Sequence, residues 1–211
     1  MSNLSKTEIT IHAYNKNANK YTAKFKDFPA YKNKIISFQK EHIPKGANIL
    51  DLGCGPGHNI ETILERDNTC NITGIDLSAE LINIAKKKHP YCNFLHHDIR
   101  LITSNTKYDV VIASFCIVHL SKTETAALIS VISDILPKNG SLYLSFMEGD
   151  YSNFESTSFT KNQIFFTYYP AADIIEILNG CGITLYQLEK EDYREQDGSI
   201  TTDIFIFARK K

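Results

Sequence analysis

From Asn48 onward the chain alternates short runs of strand formers with segments whose apolar residues recur at helical spacing. "NILDL" precedes "HNIETILER", which puts Ile60, Ile63 and Leu64 on one helix face. "NITGIDL" precedes "AELINIAKKKH", with Ser78 placed to cap that helix and its terminal lysines matched to the negative end of the dipole. "CNFLHHDI" reads as a third strand and "YDVVIASF" as a fourth. Ser121 and Glu124 then form a capping box before "AALISVISDIL", and "SLYLSF" is a fifth strand. Strands that alternate with helices imply right-handed crossovers and a parallel sheet covered on both faces. Pro170 opens a further helix, after which "ITLYQLEKEDY" and "TDIFIFARK" flank the turn signal "QDGS" and predict an antiparallel hairpin. The expectation is an α/β fold: a Rossmann-like, doubly wound, mostly parallel seven-stranded sheet with a C-terminal antiparallel hairpin. A helical cap over residues 1–45 precedes the main domain at 46–211, and a lid segment spans 147–170.

In such a sheet a ligand sits beyond the carboxyl ends of the strands, where the strand order reverses. The turn after the first strand, "GCGPG", lies there and carries Gly53, Gly55 and Gly57. A dinucleotide turn has the spacing G-x-G-x-x-G, and a phosphate-binding turn ends in G-K-[ST]. Neither is present. Asp51, two residues before the first glycine, would repel a pyrophosphate and favour an ammonium or sulfonium ligand.

The series "ILDLGCGPGHN", "GIDLS", "HHDI" and "YDVVIASF", in that order at strand ends, resembles the motifs of class I S-adenosylmethionine-dependent methyltransferases from about Asn48 to Phe146. The resemblance implies S-adenosylmethionine as methyl donor, with no metal. It implies that Asp51 and the turn at Gly53, Gly55 and Gly57 hold the methionine moiety, and that Asp76 accepts both ribose hydroxyls. Leu77 would pack on the adenine, Asp98 would accept from its exocyclic amine, and Ile99 would donate a backbone amide to the ring. Ser114 and Phe115 would border the methyl group, and a cap tyrosine near Tyr21 would touch the donor. Against these roles stand plainer ones: Asp76 and Asp98 as helix caps, and the glycines as a tight turn only.

Methyl transfer from a sulfonium requires alignment and exclusion of water, and a base only when the nucleophile must lose a proton. His119 is the candidate base, with local packing as its alternative role. Cys116 follows Phe115 rather than a proline, which favours a packed thiol over a covalent nucleophile. The sequence "MEGDYSNFESTSFTKNQIFFTYYP" holds seven aromatics, too many for a solvated loop. A lid over a small pocket explains them, and a dimer contact is the alternative. Tyr168, Tyr169 and Arg194 are the candidate contacts to a polar or anionic acceptor.

The 211 residues suffice for one well-buried domain, and the net charge of −1 recruits neither nucleic acid nor a membrane surface. Between Lys16 and Lys45, eight lysines face two acids, which raises an RNA or protein methyltransferase as an alternative; a solvated helix face is the plainer explanation. A non-catalytic S-adenosylmethionine-binding module is a third reading, and a nicotinamide oxidoreductase the weakest. Five scattered cysteines without a C-x-x-C pair, and a first decapeptide lacking an apolar core, are expected of a cytoplasmic protein. The expected partner is a small-molecule substrate, for a monomer or homodimer, with no membrane and no nucleic acid.

Overall fold

A computed structural model describes residues 4–194, 198 and 200–211. Two helices, α1 (Lys6–Phe25) and α2 (Pro29–His42), precede the alternating region. There follow β1 (Asn48–Leu52), α3 (His58–Leu64), β2 (Asn71–Asp76), α4 (Ala79–Lys88), β3 (Asn93–His96), β4 (Val110–Ser114), α5 (Lys122–Ile135) and β5 (Ser141–Met147). Beyond them lie β6 (Ser152–Thr157), β7 (Thr160–Thr167), α6 (Ala171–Gly180), β8 (Ile183–Arg194) and β9 (Ile200–Lys210). The main sheet has seven strands in the order β3-β2-β1-β4-β5-β9-β8, and β6 and β7 pair separately. The five N-terminal strands are parallel, whereas β9 runs antiparallel to both β5 and β8. The expected architecture is present. Of the turn signal at 196–199, only Gly198 falls among the described residues.

Side-chain alternation along the central strands builds two cores, one on each face of the sheet. Leu50, Val111, Ala113, Leu142, Leu144 and Ile206 pack with α5 and α6. Ile49, Val110, Ile112, Tyr143, Phe205 and Phe207 pack on the opposite side with α2, α3 and α4. Because both faces are buried, the strands read as near-continuous apolar runs. Ser121 and Glu124 form the expected capping box at α5, and Ser78 caps α4 by accepting from the Leu81 amide.

The two N-terminal helices do different work. Ile35 and Phe38 of α2 are buried in the second core, where the Phe38 ring meets Tyr143 and Phe207 at 5.4 and 5.2 Å. This helix covers the sheet. Helix α1 instead crosses the carboxyl ends of the strands. Its Asn15 docks on the start of α4, accepting from the Ser78 hydroxyl (2.7 Å) and the Glu80 amide (3.2 Å). A capping box of Ser5 and Glu8 opens α1, and a local break at Asn17 (φ −116°, ψ 18°) lets it bend. The aromatic lid segment is the β6–β7 hairpin, which packs against α1 through Phe159 and Ile164. Among the described residues no helix is long and apolar enough to cross a membrane, and no group of side chains could hold a metal ion.

Candidate active site

Strand order reverses between β1 and β4, and the glycine turn leaves β1 at that point. Gly53, Gly55 and Gly57 all adopt positive φ (66°, 54° and 83°), so a Cβ would strain each position. At Gly53 a close approach adds to this, since a Cβ there would lie 2.5 Å from the Cys116 Cβ. Cys116 itself is buried, and burial raises its thiol well above the usual range, as expected of a packed rather than reactive cysteine. Gly57 is the left-handed N-cap of α3 and turns the chain into that helix.

Asp76, at the end of β2, clamps this turn. One carboxylate oxygen accepts from the Gly55 amide (2.9 Å) and the other from the Ser78 amide (2.7 Å). Its lone pairs beyond those two bonds border a cavity also lined by Leu77, Asp98 and Ile99. Burial lifts the Asp76 carboxyl above its ordinary value despite both amides. Asp51 lies behind the turn, fully buried, and neither of its carboxylate oxygens has a hydrogen-bond partner. Desolvation, followed by the nearby Asp76 charge, pushes its carboxyl well above the carboxylate range. A buried carboxylate without a partner is costly unless a ligand completes it, and a primary ammonium supplies both charge and donors.

Asp98 is already engaged. Arg100 grips its carboxylate from Nε and Nη2 (3.0 and 2.6 Å), and the Arg100 amide donates to it as well. Burial opposes the charged form, but the Arg100 hydrogen bonds and charge hold Asp98 below its ordinary value. Arg100 also pairs with Glu124 at 2.9 Å. Nothing in the residue pattern singled out Arg100, because its partner on α5 is distant in sequence.

A second, larger cavity of about 240 Å³ adjoins the first and shares with it Tyr14, Tyr21, Gly53, Gly55, Ser114 and Phe115. Tyr21 reaches from α1 to within 3.7 Å of where a Gly55 Cβ would stand. Phe115 adopts φ 49°, and its amide donates to the carbonyl and hydroxyl of Ser145 (3.0 and 3.1 Å). That anchoring turns the chain after β4 so that the Phe115 ring faces Tyr31 at 4.8 Å.

His119 borders both cavities. Its Nδ1 donates to the Phe165 carbonyl (2.9 Å), which leaves Nε2 as the acceptor facing the Tyr14 hydroxyl (3.1 Å). Burial drives its pKa down to about 4, so the ring is neutral near pH 7. The Phe165 amide in turn donates to Thr10 on α1 (3.0 Å). One residue of the hairpin thereby ties the cap and the histidine together.

Two of the expected acceptor contacts fall elsewhere. Tyr169 lines neither cavity; its buried hydroxyl bonds with Thr125 (2.8 Å) and with the carbonyls of Ile117 and Leu120 (3.0 and 2.8 Å). It is a strut that ties the segment before α6 to α5 and to the turn after β4, while its neighbour Tyr168 lines the larger cavity. Arg194 is exposed at the end of β8 and lines neither cavity. Tyr168 does line the larger one, donating to Glu155 at 3.0 Å. Tyr31 and Asp203, which no sequence motif marked, face the same space and are joined by a 2.9 Å hydrogen bond.

Residues 49–140 match the model of a methyltransferase domain family. A dTDP-3-amino-3,6-dideoxy-alpha-D-glucopyranose N,N-dimethyltransferase from Streptomyces fradiae is 27% identical over 120 residues, which are 56% of this chain and 46% of the relative. The chain thus spans less than half the length of that curated relative. Magnesium protoporphyrin IX methyltransferase from Synechocystis, solved with bound S-adenosylmethionine, superposes over 100% of both chains with a TM-score of 0.74 at 18% identity. A 1,6-didemethyltoxoflavin-N1-methyltransferase from Burkholderia thailandensis has the same TM-score at 15% identity, covering 100% of this chain and 93% of its own.

Proposed function

We propose that this chain transfers a methyl group from S-adenosylmethionine to a small-molecule acceptor, a reading supported by the match of residues 49–140 to a methyltransferase domain family. The observation that carries the donor half is the pairing of two carboxylates around one glycine turn. Asp51 is buried and unpartnered, suited to the methionine ammonium, and Asp76 is clamped by two amides, suited to the ribose hydroxyls. These residues fit the group. Leu77, Asp98 and Ile99 would then flank the adenine, and Asp98 would keep its Arg100 partner while accepting from the exocyclic amine.

Bound there, S-adenosylmethionine supplies a methyl group on a positively charged sulfur that is open to in-line displacement. The protein's own share is alignment and dryness. Tyr21, Ser114 and Phe115 stand where the two cavities meet and would border the reacting carbon. Helix α1 and the β6–β7 hairpin roof part of the larger cavity and would shield the reacting atoms from bulk water. His119, neutral and with Nε2 accepting from the Tyr14 hydroxyl, can take up a proton from the acceptor through that hydroxyl or in its place. The roofed cavity suits a small acceptor better than a polymer. The N,N-dimethyltransferase and N1-methyltransferase similarities point the same way.

Calorimetric titration with S-adenosylhomocysteine, beside NAD and an Asp76→Ala variant, tests the reading. Saturable binding is expected, weakened by about 30-fold or more in the variant through loss of charge-assisted hydrogen bonds. No heat from S-adenosylhomocysteine, or tighter binding of NAD, would overturn it.

A further inference from the structure

The larger cavity is walled by rings and carries two carboxylates, with two lysines also on its lining. Phe25, Phe28, Tyr31, Phe159 and Tyr193 contribute aromatic surface, and Glu155 and Asp203 contribute the carboxylates. Asp203 is buried. Each acid is bonded by a tyrosine of the same wall: Tyr31 donates to Asp203 at 2.9 Å and Tyr168 to Glu155 at 3.0 Å. The cations that reach this space are Lys26, which is exposed, and Lys32, which is paired outward with Glu65 at 2.9 Å. Both histidines on the wall, His58 and His119, are driven by burial to a pKa of about 4 and carry no charge near neutrality.

Resting on the donor assignment above, we propose that the methyl acceptor is an amine borne on an apolar, ring-sized body, and that Asp203 and Glu155 select it. Aromatic faces and carboxylates in a low-dielectric space attract a cation and repel an acid. The reaction favours the same choice. The bound ammonium first loses one proton to water, and the nitrogen lone pair so freed forms the new N–C bond as the C–S bond breaks and sulfur keeps its electron pair. Positive charge therefore moves from sulfur to nitrogen, toward the carboxylates, so they act more strongly on the transition state than on the bound reactants. Once deprotonated the amine needs no further base, and the Tyr14 hydroxyl, which donates to His119 Nε2, is left with an oxygen lone pair that can accept an N–H bond and orient the nitrogen. A carboxylate acceptor would meet two like charges instead.

The test is binding of matched probes to the full chain saturated with S-adenosylhomocysteine: phenethylammonium against 3-phenylpropionate, followed by calorimetry. Phenethylammonium is expected to bind about tenfold tighter or more. Asp203→Asn and Glu155→Gln should each weaken it by about fivefold while leaving S-adenosylhomocysteine affinity within about twofold. Glu155 lies on the hairpin rather than in the core, so its variant remains informative if Asp203→Asn lowers the melting temperature. Equal or tighter binding of 3-phenylpropionate overturns the proposal. So does binding of neither probe, or indifference of phenethylammonium to Glu155→Gln in the folded variant. Absence of S-adenosylhomocysteine binding would show a different failure, that of the donor site itself, and would remove this proposal with it.

Discussion

The crevice proposed for the donor and the cavity proposed for the acceptor share a wall but are made in different ways. The crevice is assembled from residues near one another in sequence, at the ends of adjacent parallel strands. Asp51, Gly53 and Gly55 lie within five residues, and Asp76 meets the Gly55 amide across the neighbouring strand. The acceptor cavity draws on α1, α2, the β6–β7 hairpin and the C-terminal hairpin. Its bonds span long separations: Tyr14 to His119, Thr10 to Phe165 and Tyr31 to Asp203. Local backbone geometry makes the first rigid, whereas the second depends on how distant elements dock.

The sharpest way to break the crevice is Gly53→Ala. The added Cβ meets the Cys116 Cβ at 2.5 Å and holds φ near +66°, so a loss of about 3 kcal/mol is expected in chemical denaturation. A loss under about 1 kcal/mol would mean that the loop after β4 yields easily, and the crevice would be less rigid than argued.

Titration separates the two regions by sign. His119 is depressed from an unfolded value near 6.5 to about 4, so its neutral burial is fully compatible with folding above about pH 6.5. That contribution is lost as pH falls toward 4, on the order of 3 kcal/mol in all. Asp51 runs the other way. Its folded pKa is raised above 3.8, so its contribution is present at low pH and lost as pH rises through the folded value. Denaturation at pH 7 and 4.5 should therefore show His119→Asn with a flatter acid limb than the parent. An unchanged acid limb would mean that the buried imidazole finds a way to protonate in place.

The smallest effect is kinetic. With a turned-over acceptor, His119→Asn and Tyr14→Phe should each lower kcat by about tenfold and leave S-adenosylhomocysteine affinity within about threefold, because both residues belong to the shared wall rather than to the ribose clamp. A matching loss of donor affinity would erase the distinction between the two regions.

Legibility in the sequence follows the same division. The strand and helix order of residues 48–147 and the capping box at Ser121 could be read from periodicity and short motifs, because these are local properties. The start of α1 carried the same S-x-x-E signature at Ser5 and Glu8, and it locates that helix equally well. The residues between 147 and 170 announced a buried role by their aromatic content, but not the hairpin that sorts them. Phe166 of β7, Phe159 of the turn and Tyr168 just after β7 line the cavity, whereas Tyr151 and Phe154 are exposed. Tyr168 lines the larger cavity whereas Tyr169 bonds to Thr125 and to two carbonyls after β4, a division that composition does not reveal.

What the sequence determined by itself is the α/β sheet and the glycine turn with its two acids, since strand period, turn chemistry and spacing act over a few residues. What only the tertiary structure decided is the acceptor side. There Asp203 opens the apolar run of β9 as an unremarkable strand residue, and becomes part of a binding wall only when Tyr31 of α2 docks against it. Likewise the neutral tautomer of His119 was set by Phe165, 46 residues away, through a single hydrogen bond. Charge and proton placement inside a cavity depend on which distant groups exclude water from it, and that is a property of packing rather than of any stretch of chain.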